Sequence, residues 1–296
     1  MTTPYQQPPQ PRTPQQTPQQ APQWQGGGPS AGYTSPIPVR RAHLGDALAS
    51  EWTKLRSVRS TMWTLGVMIV LMLGIGLLTA LVISSVSSEP EIPSGQEVLS
   101  LGFFGVLLGS MCVITLGVLT IASEYGTGMI RTTVTACPSR GRVLVAKSLV
   151  FFLLVFVISM VITMTVSALQ LSILGAESPN GAAWLRATAG VSLYLATLGL
   201  LSLAIGTLIR HSAGAITIMI GVVLLPLVLA MFMFSDSLTA LREFLFDYSI
   251  PNQMAAFYDE GIRVSGPSGW EPLWILLGVT AVAMVAAFFS LDKRDV

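Results

Sequence analysis

The chain has 296 residues and a net charge of +1, with only 10% charged but 52% hydrophobic side chains and a mean hydropathy of +0.67. A soluble domain carries about 25% charged residues, so this chain lacks the polar side chains that would cover a water-exposed surface. The composition excludes an ordinary soluble domain and favours lipid as the main solvent. The near-neutral charge and the lack of a basic stripe give no support to a nucleic-acid partner.

Residues 1–40 form a separate segment with ten prolines, nine glutamines and no acidic residue. Such a segment can bury too little apolar surface to offset chain entropy, so we predict a disordered cytosolic tail. It has no apolar run behind a basic start, which a signal peptide would need.

Residues 41–60 predict an amphipathic helix at the membrane surface that connects the tail to the first span. Leu44, Leu48, Trp52 and Leu55 recur at a spacing of three to four residues. We expect Trp52 at the level of the lipid headgroups and the cations toward anionic lipid. The alternative is an ordinary polar flank of the first span. The polar residues of this interfacial helix are Glu51, Lys54, Arg56 and Arg59.

Residues 61–296 contain six charge-free runs of 20 to 29 residues, which is the length that crosses a bilayer as a helix. Backbone groups in lipid must be hydrogen-bonded internally, and the alternation of a barrel strand is absent. We therefore predict an all-α polytopic membrane protein with a six-helix transmembrane domain. In the second run, Gly105 and Gly109 form a G-x-x-x-G motif that favours close helix packing. The predicted spans are approximately 61–84, 99–122, 145–169, 187–209, 213–234 and 272–291.

The distribution of Lys and Arg predicts the orientation in the membrane. With the N-terminus in the cytosol, thirteen of the sixteen basic residues lie on the cytosolic side. The positive-inside rule therefore places both termini in the cytosol. The outer loop 235–270 should carry helical stretches split at Pro251, with Tyr248, Phe257, Tyr258 and Trp270 at interface level. The alternative is a simple amphipathic surface loop.

No sequence pattern of an ATP site or a catalytic site is present. The nearest approach to a Walker A loop, 141–148, has Ala146 in place of its second glycine and no preceding strand. His43 and His211 fall in separate elements, which gives no His-based metal or catalytic pair. The spans also lack the central charges that mark an ion relay. We therefore expect no enzyme activity and no bound cofactor or metal, and a chain that is passive, scaffolding or driven by a partner.

The connection between the second and third spans, 123–147, is short, basic and rich in turn residues. Thr127 to Thr135 predicts a short cytosolic helix, which Gly126 and Gly128 separate from the second span and Pro138 ends. Ser139 is expected to cap the third span with its side chain. A short helix in this position has the shape to fit a groove on a soluble partner. The basic residues that anchor the next helix at the cytosolic surface are Arg140, Arg142 and Lys147.

This pattern resembles the permease subunits of bacterial ABC-2 type exporters. In their loop between the second and third spans, a Glu and a Gly-Thr pair precede a basic residue, then Pro-Ser-Arg, then a Lys. The stretch around Glu51, Lys54 and Arg56 is similar to the family's entry helix, whereas Gly128 stands where the family often has an apolar residue. The residues of the predicted docking loop are Glu124, Gly126, Thr127, Ile130, Arg131, Pro138, Ser139, Arg140 and Lys147.

The resemblance implies the fold of an ABC-2 exporter permease (type V ABC) in a bacterial plasma membrane, exporting a substrate from the cytosol. Two permease copies, identical or different, would pair with two cytosolic ABC ATPase subunits that bind ATP and Mg²⁺. A coupling helix within 124–140, with Arg131 near the ATPase, would carry the ATPase motion to the spans. Two other function classes stay open: an ion-coupled secondary transporter that uses hydroxyl groups to bind Na⁺, and a non-transporting scaffold or sensor subunit.

Overall fold

The computed structural model describes residues 43–86, 94–129, 132–133, 139–258 and 266–293, all of which lie in the unit Ala42–Val296. This part of the chain is 89% helical and contains no strand. The predicted all-α class is therefore confirmed for these residues. The predicted disordered tail, 1–40, lies outside the described residues.

The described α-helices are, in chain order, α1 (Leu44–Ser57), α2 (Arg59–Val86), α3 (Gly95–Ser100), α4 (Phe103–Gly126), α5 (Arg140–Leu174), α6 (Gly181–Leu185), α7 (Val191–Ile209), α8 (Ser212–Phe232), α9 (Thr239–Asp247), α10 (Ile250–Ala255) and α11 (Glu271–Lys293). A π-helical turn, Arg186–Gly190, joins α6 to α7. Short 3-10 turns precede α9 at Asp236–Leu238 and follow α10 at Ala256–Tyr258.

Six helical segments are long and apolar enough to cross a membrane, which indicates a multi-pass membrane protein, as the charge-free runs predicted. Five of them extend beyond the predicted spans, whereas α8 ends two residues earlier than predicted. The 35 residues of α5 measure about 52 Å at the helical rise, so this helix is longer than a bilayer core of about 30 Å. The six segments are Arg59–Val86, Gly95–Gly126, Arg140–Leu174, Gly181–Ile209, Ser212–Phe232 and Glu271–Lys293.

Helix α7 occupies the centre of the bundle. It packs against α4, α5, α8 and α11, and α2 packs on the outside of α4 and α5. The side chains of Tyr194, Leu195, Leu198 and Leu203 in α7 are completely buried. By contrast, α2, α8 and α11 leave large apolar side chains exposed along their outer faces, as helices that face lipid do.

Glycines allow the central helices to approach closely. A Cβ on Gly117 of α4 would lie 2.5 Å from the carbonyl oxygen of Gly199 in α7, so only a glycine fits there. The predicted G-x-x-x-G packing is confirmed, because Cβ atoms on Gly105 and Gly109 would lie within 3 Å of Met72 in α2.

One part of the loop before the last span, 249–258, is buried, whereas most of 235–248 is exposed. Pro251 is the second residue of α10, in the first turn, where proline is tolerated. All residues of 250–258 are buried, including Phe257 and Tyr258. The sequence did not predict this burial, which the protein accommodates because the polar residues of α10 are hydrogen-bonded within it. Gln253 donates from Nε2 to the carbonyl oxygen of Tyr248 at 2.9 Å and accepts from the Tyr194 hydroxyl at 3.2 Å.

Candidate functional site

Four charged side chains from three helices form a closed ring at one end of the bundle, which we call the charge ring: Glu51, Lys54, Glu124 and Lys147. Lys147 Nζ lies 2.6 Å from Glu51 Oε2 and 2.8 Å from Glu124 Oε1. Lys54 Nζ lies 2.8 Å from Glu51 Oε1 and 3.0 Å from Glu124 Oε1. Each cation therefore bridges both carboxylates, and the ring has no net charge.

Most of the charge ring is removed from solvent. The side chains of Lys147 and Glu51 are 2% and 3% exposed and that of Glu124 is 6% exposed, whereas Lys54 is 27% exposed. Burying an ion costs several kcal/mol unless an opposite charge lies in good geometry, so these contacts depend on one another. Glu124 Oε2 is buried and has no hydrogen-bond partner in the described structure. Glu124 is therefore the ring residue whose hydrogen-bonding groups are least satisfied.

The helices bring these residues together through their local geometry. In α1, the side facing the bundle is formed by Ala47, Leu48, Glu51, Lys54 and Leu55, a spacing of three to four residues. The extended backbone at Val58 separates α1 from α2 and lets α1 pack back against α5. Glu124 lies in the last turn of α4, and Lys147 lies two turns inside α5.

The pairing determines the protonation of the two ring residues that α1 contributes. Burial alone would raise the pKa of the Glu51 carboxyl, but Lys147 and Lys54 outweigh burial and hold the pKa below its ordinary value. Burial alone would lower the pKa of the Lys54 ammonium, but Glu51 and Glu124 raise it above its ordinary value. Both groups are therefore charged at neutral pH.

This placement differs from the expected interfacial helix. Glu51 and Lys54 turn inward, because partners on α4 and α5 compensate their charges. The remaining polar residues of the predicted set, Arg56 and Arg59, are exposed, and Trp52 is exposed as well. The helix thus packs on the bundle through a face that mixes charge with leucine and presents its tryptophan outward.

The predicted docking loop is described only in part. Ile130, Arg131 and Pro138 lie outside the described residues. Gly126 and Thr127 are exposed, and the Thr127 hydroxyl donates to the Ser123 carbonyl oxygen at 2.8 Å, which finishes α4. Thr133 connects the loop to the charge ring, since Lys54 Nζ donates to its Oγ1 at 3.3 Å.

At the start of α5, one prediction needs correction. Ser139 occupies the N-cap position, as expected, but its side chain makes no capping hydrogen bond. The next residue, Arg140, instead donates from its guanidinium to the carbonyl oxygen of Leu291 at 2.6 Å, at the C-terminal end of α11. A cation is favourable there because helix carbonyls at that end lack partners within the helix.

Arg210 makes a second contact of this kind at the same end of the bundle. It lies between α7 and α8 with a left-handed φ of 60°, which is uncommon for a residue other than glycine. Its guanidinium donates to the Ser290 carbonyl oxygen at 3.3 Å and lies 5.1 Å from the centre of the Tyr125 ring. The ends of α4, α7 and α11 are thereby tied together beside the charge ring.

All four residues of the charge ring were predicted from the sequence as candidate functional residues. Their contact with one another was not predicted. One sequence feature did point to Glu124 and Lys147. Glu124 follows one long charge-free run and Lys147 precedes the next, so each charge lies at the edge of a span. The partners from α1 could not be identified, because Glu51 and Lys147 are 96 residues apart in the chain. Among the described residues, no three His, Cys, Asp or Glu side chains come together to hold a metal ion.

Comparison with known proteins does not identify the chain. It matches no protein-family model, and no curated protein matches it significantly.

Proposed function

We propose that the chain is the membrane-spanning permease subunit of an ATP-driven ABC-2 type exporter, which moves a substrate out of the cytosol with ATP hydrolysed by a separate ATPase. One observation carries this proposal. The residues that resemble this family lie in two separate stretches, and Glu51 and Lys54 from the first meet Glu124 and Lys147 from the second in one ring. A chance match of two short stretches gives no reason for that contact.

The position of the charge ring fits such a role. The connection 127–139 begins three residues beyond Glu124, at the end of α4, and α5 begins at Arg140. A partner that pushes on this connection would therefore act on α1, α4 and α5 together, because the ring bridges all three helices. A shift of any one of these helices would have to move or break ion pairs that also hold the other two.

The rest of the assembly follows from the same proposal. The connection faces the cytosol of a bacterial cell, in agreement with the Lys and Arg bias. Two ATPase subunits bind ATP and Mg²⁺, and a second permease copy completes the path. The substrate crosses between spans that carry hydroxyl groups but no central charges.

A co-purification experiment tests the proposal. The full chain is expressed with candidate ABC ATPases, and membranes are solubilised and purified through a tag on the permease. Thr132→Asp places a negative charge on an exposed residue of the connection, and we expect it to abolish ATPase capture. Ser178→Asp places the same charge on an exposed residue at the opposite end of α5 and should leave capture intact.

The outcomes separate the competing functions. Membrane insertion must be normal in both variants, so that lost capture reports lost docking. Equal capture with Thr132→Asp and Ser178→Asp contradicts docking at this connection. Transport by the purified chain that follows a Na⁺ or H⁺ gradient without any ATPase establishes a secondary transporter instead.

A further inference from the structure

A groove opens on the side of the bundle at the end opposite the charge ring. Its volume is about 560 Å³, and clefts that hold small molecules usually measure about 300–1,000 Å³. Helix α2, the end of α3, the start of α4 and the segment 255–258 form its walls. The groove shares no lining residue with the charge ring, so it is a separate feature of the fold.

Aromatic rings form the inner side of the groove. Phe103 and Tyr258 are 6% and 5% exposed, and their rings meet edge to face with the centres 6.4 Å apart. The ring of Phe104 meets that of Phe103 in the same way at 5.4 Å, but it is 55% exposed. Aromatic pairs in this arrangement are stabilised by the ring quadrupole as well as by burial, so these rings hold one another in place.

The walls of the groove are mostly hydrocarbon. Among the described residues that line it, none is charged. The Thr79 hydroxyl donates to the carbonyl oxygens of Gly76 and Leu101, and the Ser100 hydroxyl donates to that of Glu97. These two hydroxyl groups therefore complete hydrogen bonds of the protein itself. Such walls suit an uncharged apolar chain, because a charged ligand would lose its hydration without compensation.

The groove lies at the depth where the lipid hydrocarbon ends. Leu78 is 19 residues beyond Arg59, the charged first residue of α2, which corresponds to about 28 Å at the helical rise. The hydrocarbon core of a bilayer is about 30 Å thick, so the wall from Leu78 to Ile83 lies at its far boundary. Leu78 and Val82 are 58% and 51% exposed, and they open the groove sideways toward lipid.

We propose that the groove binds one acyl chain of a membrane lipid, in the leaflet farther from the charge ring. The acyl chain lies against Leu78, Val82 and Phe104 and reaches inward to Tyr258. Hydrocarbon matches these walls in chemistry, and lipid supplies it at this depth. Tyr258 belongs to the buried segment 250–258, so the bound lipid contacts a part of the protein that the bundle otherwise encloses. The inference does not depend on the proposed function.

Photo-crosslinking with a labelled lipid tests the site in the full chain. The protein is reconstituted into phosphatidylcholine vesicles in which a small fraction of the lipid carries a diazirine on one acyl chain. After irradiation, peptide mass spectrometry locates the adducts. We expect the peptides that contain Leu78 and Phe104 to carry several-fold more adducts than the α8 peptide that contains Met231.

Met231 is a control matched in depth. It is 19 residues beyond Ser212, the first residue of α8, as Leu78 is beyond the first residue of α2. Met231 is 65% exposed, more than Leu78 or Phe104, and it does not line the groove. Contact with bulk lipid alone therefore predicts the opposite order of adducts.

Leu78→Trp provides a blocked form of the groove. Leu78 is 58% exposed, so the larger ring fills the groove beside Phe104 without disturbing the core. Adducts on the Phe104 peptide should then fall several-fold. Val70→Trp is the matched control, because Val70 lies eight residues earlier in α2, is 68% exposed and does not line the groove. It should leave adducts on the Phe104 peptide unchanged.

Two results would overturn the site. If the groove peptides carry no more adducts than the Met231 peptide, and Leu78→Trp leaves them unchanged, the groove meets bulk lipid only. If the groove peptides carry no adducts while the Met231 peptide is labelled, another segment or a second copy of the chain covers the groove.

Discussion

The two ends of the bundle fix their helices by different means. At one end, the charge ring and two arginines join α1, α4, α5, α7 and α11 through ionised groups. At the other end, α10 and the turn after it are held by neutral groups, such as the Tyr194 hydroxyl on Gln253. Ion pairs respond strongly to pH and to the loss of one partner, whereas neutral hydrogen bonds do not. The charged end is therefore the one that should respond to pH and to single substitutions.

The largest effect is expected from Lys147→Met. This change leaves Glu51 and Glu124 buried with only Lys54 to compensate them, and breaking a buried pair costs about 3 kcal/mol or more. Denaturant titration in detergent should show a large loss of unfolding free energy. Lys293→Met removes an exposed cation at the end of α11 and serves as the control. Equal losses in the two variants would show that the ring is not the dominant charged contact.

Acid should release α1 from the bundle. The pKa of Glu51 lies below its ordinary value of 4.5, so its contribution to stability is complete above pH 4.5 and is lost as the pH falls through the lower value. Spin labels at the exposed positions Ala49 and Val145, after both cysteines are replaced by serine, report the distance between α1 and α5. Glu51→Gln should widen that distance at neutral pH. An unchanged distance in Glu51→Gln at neutral pH contradicts docking through Glu51.

At the neutral end, Tyr194→Phe should cost about 1 kcal/mol, the usual value of one hydrogen bond. The hydroxyl is completely buried and donates to Gln253 Oε1 at 3.2 Å. Denaturant titration measures this loss of unfolding free energy, which should not change between pH 4 and pH 8. A loss that varies with pH would show that this end also depends on ionised groups.

The smallest effect is expected from Lys54→Met. Lys54 contacts the same two carboxylates as Lys147, but it is 27% exposed, and water screens the charges that remain. The loss should stay below about 1 kcal/mol. Because the pKa of Lys54 is raised, its contribution is present below pH 10.5 and is lost only above that value. A loss of unfolding free energy as large as that of Lys147→Met would show that the contributions of the two lysines do not depend on how deeply each is buried.

The spans were predictable because length and the absence of charge alone define them. The charge ring was not, since it requires α1 to fold back onto α5, and the periodicity of Leu44 and Trp52 indicated a different face. The buried α10 was missed for a related reason. Asn252 and Gln253 suggest an exposed loop, yet their amide groups donate to the carbonyl oxygens of Asp247 and Tyr248. In both cases tertiary contacts decided the structure, and local sequence does not identify the partners that make them.

A double-mutant cycle between Glu51→Gln and Lys147→Met in the full chain tests most directly whether the charge ring joins α1 to the bundle. Removing either partner leaves an uncompensated buried charge, whereas removing both leaves Lys54 and Glu124 as a balanced pair. The double variant should therefore lose clearly less unfolding free energy than the sum of the two single variants. A double variant that loses the full sum would contradict the ring.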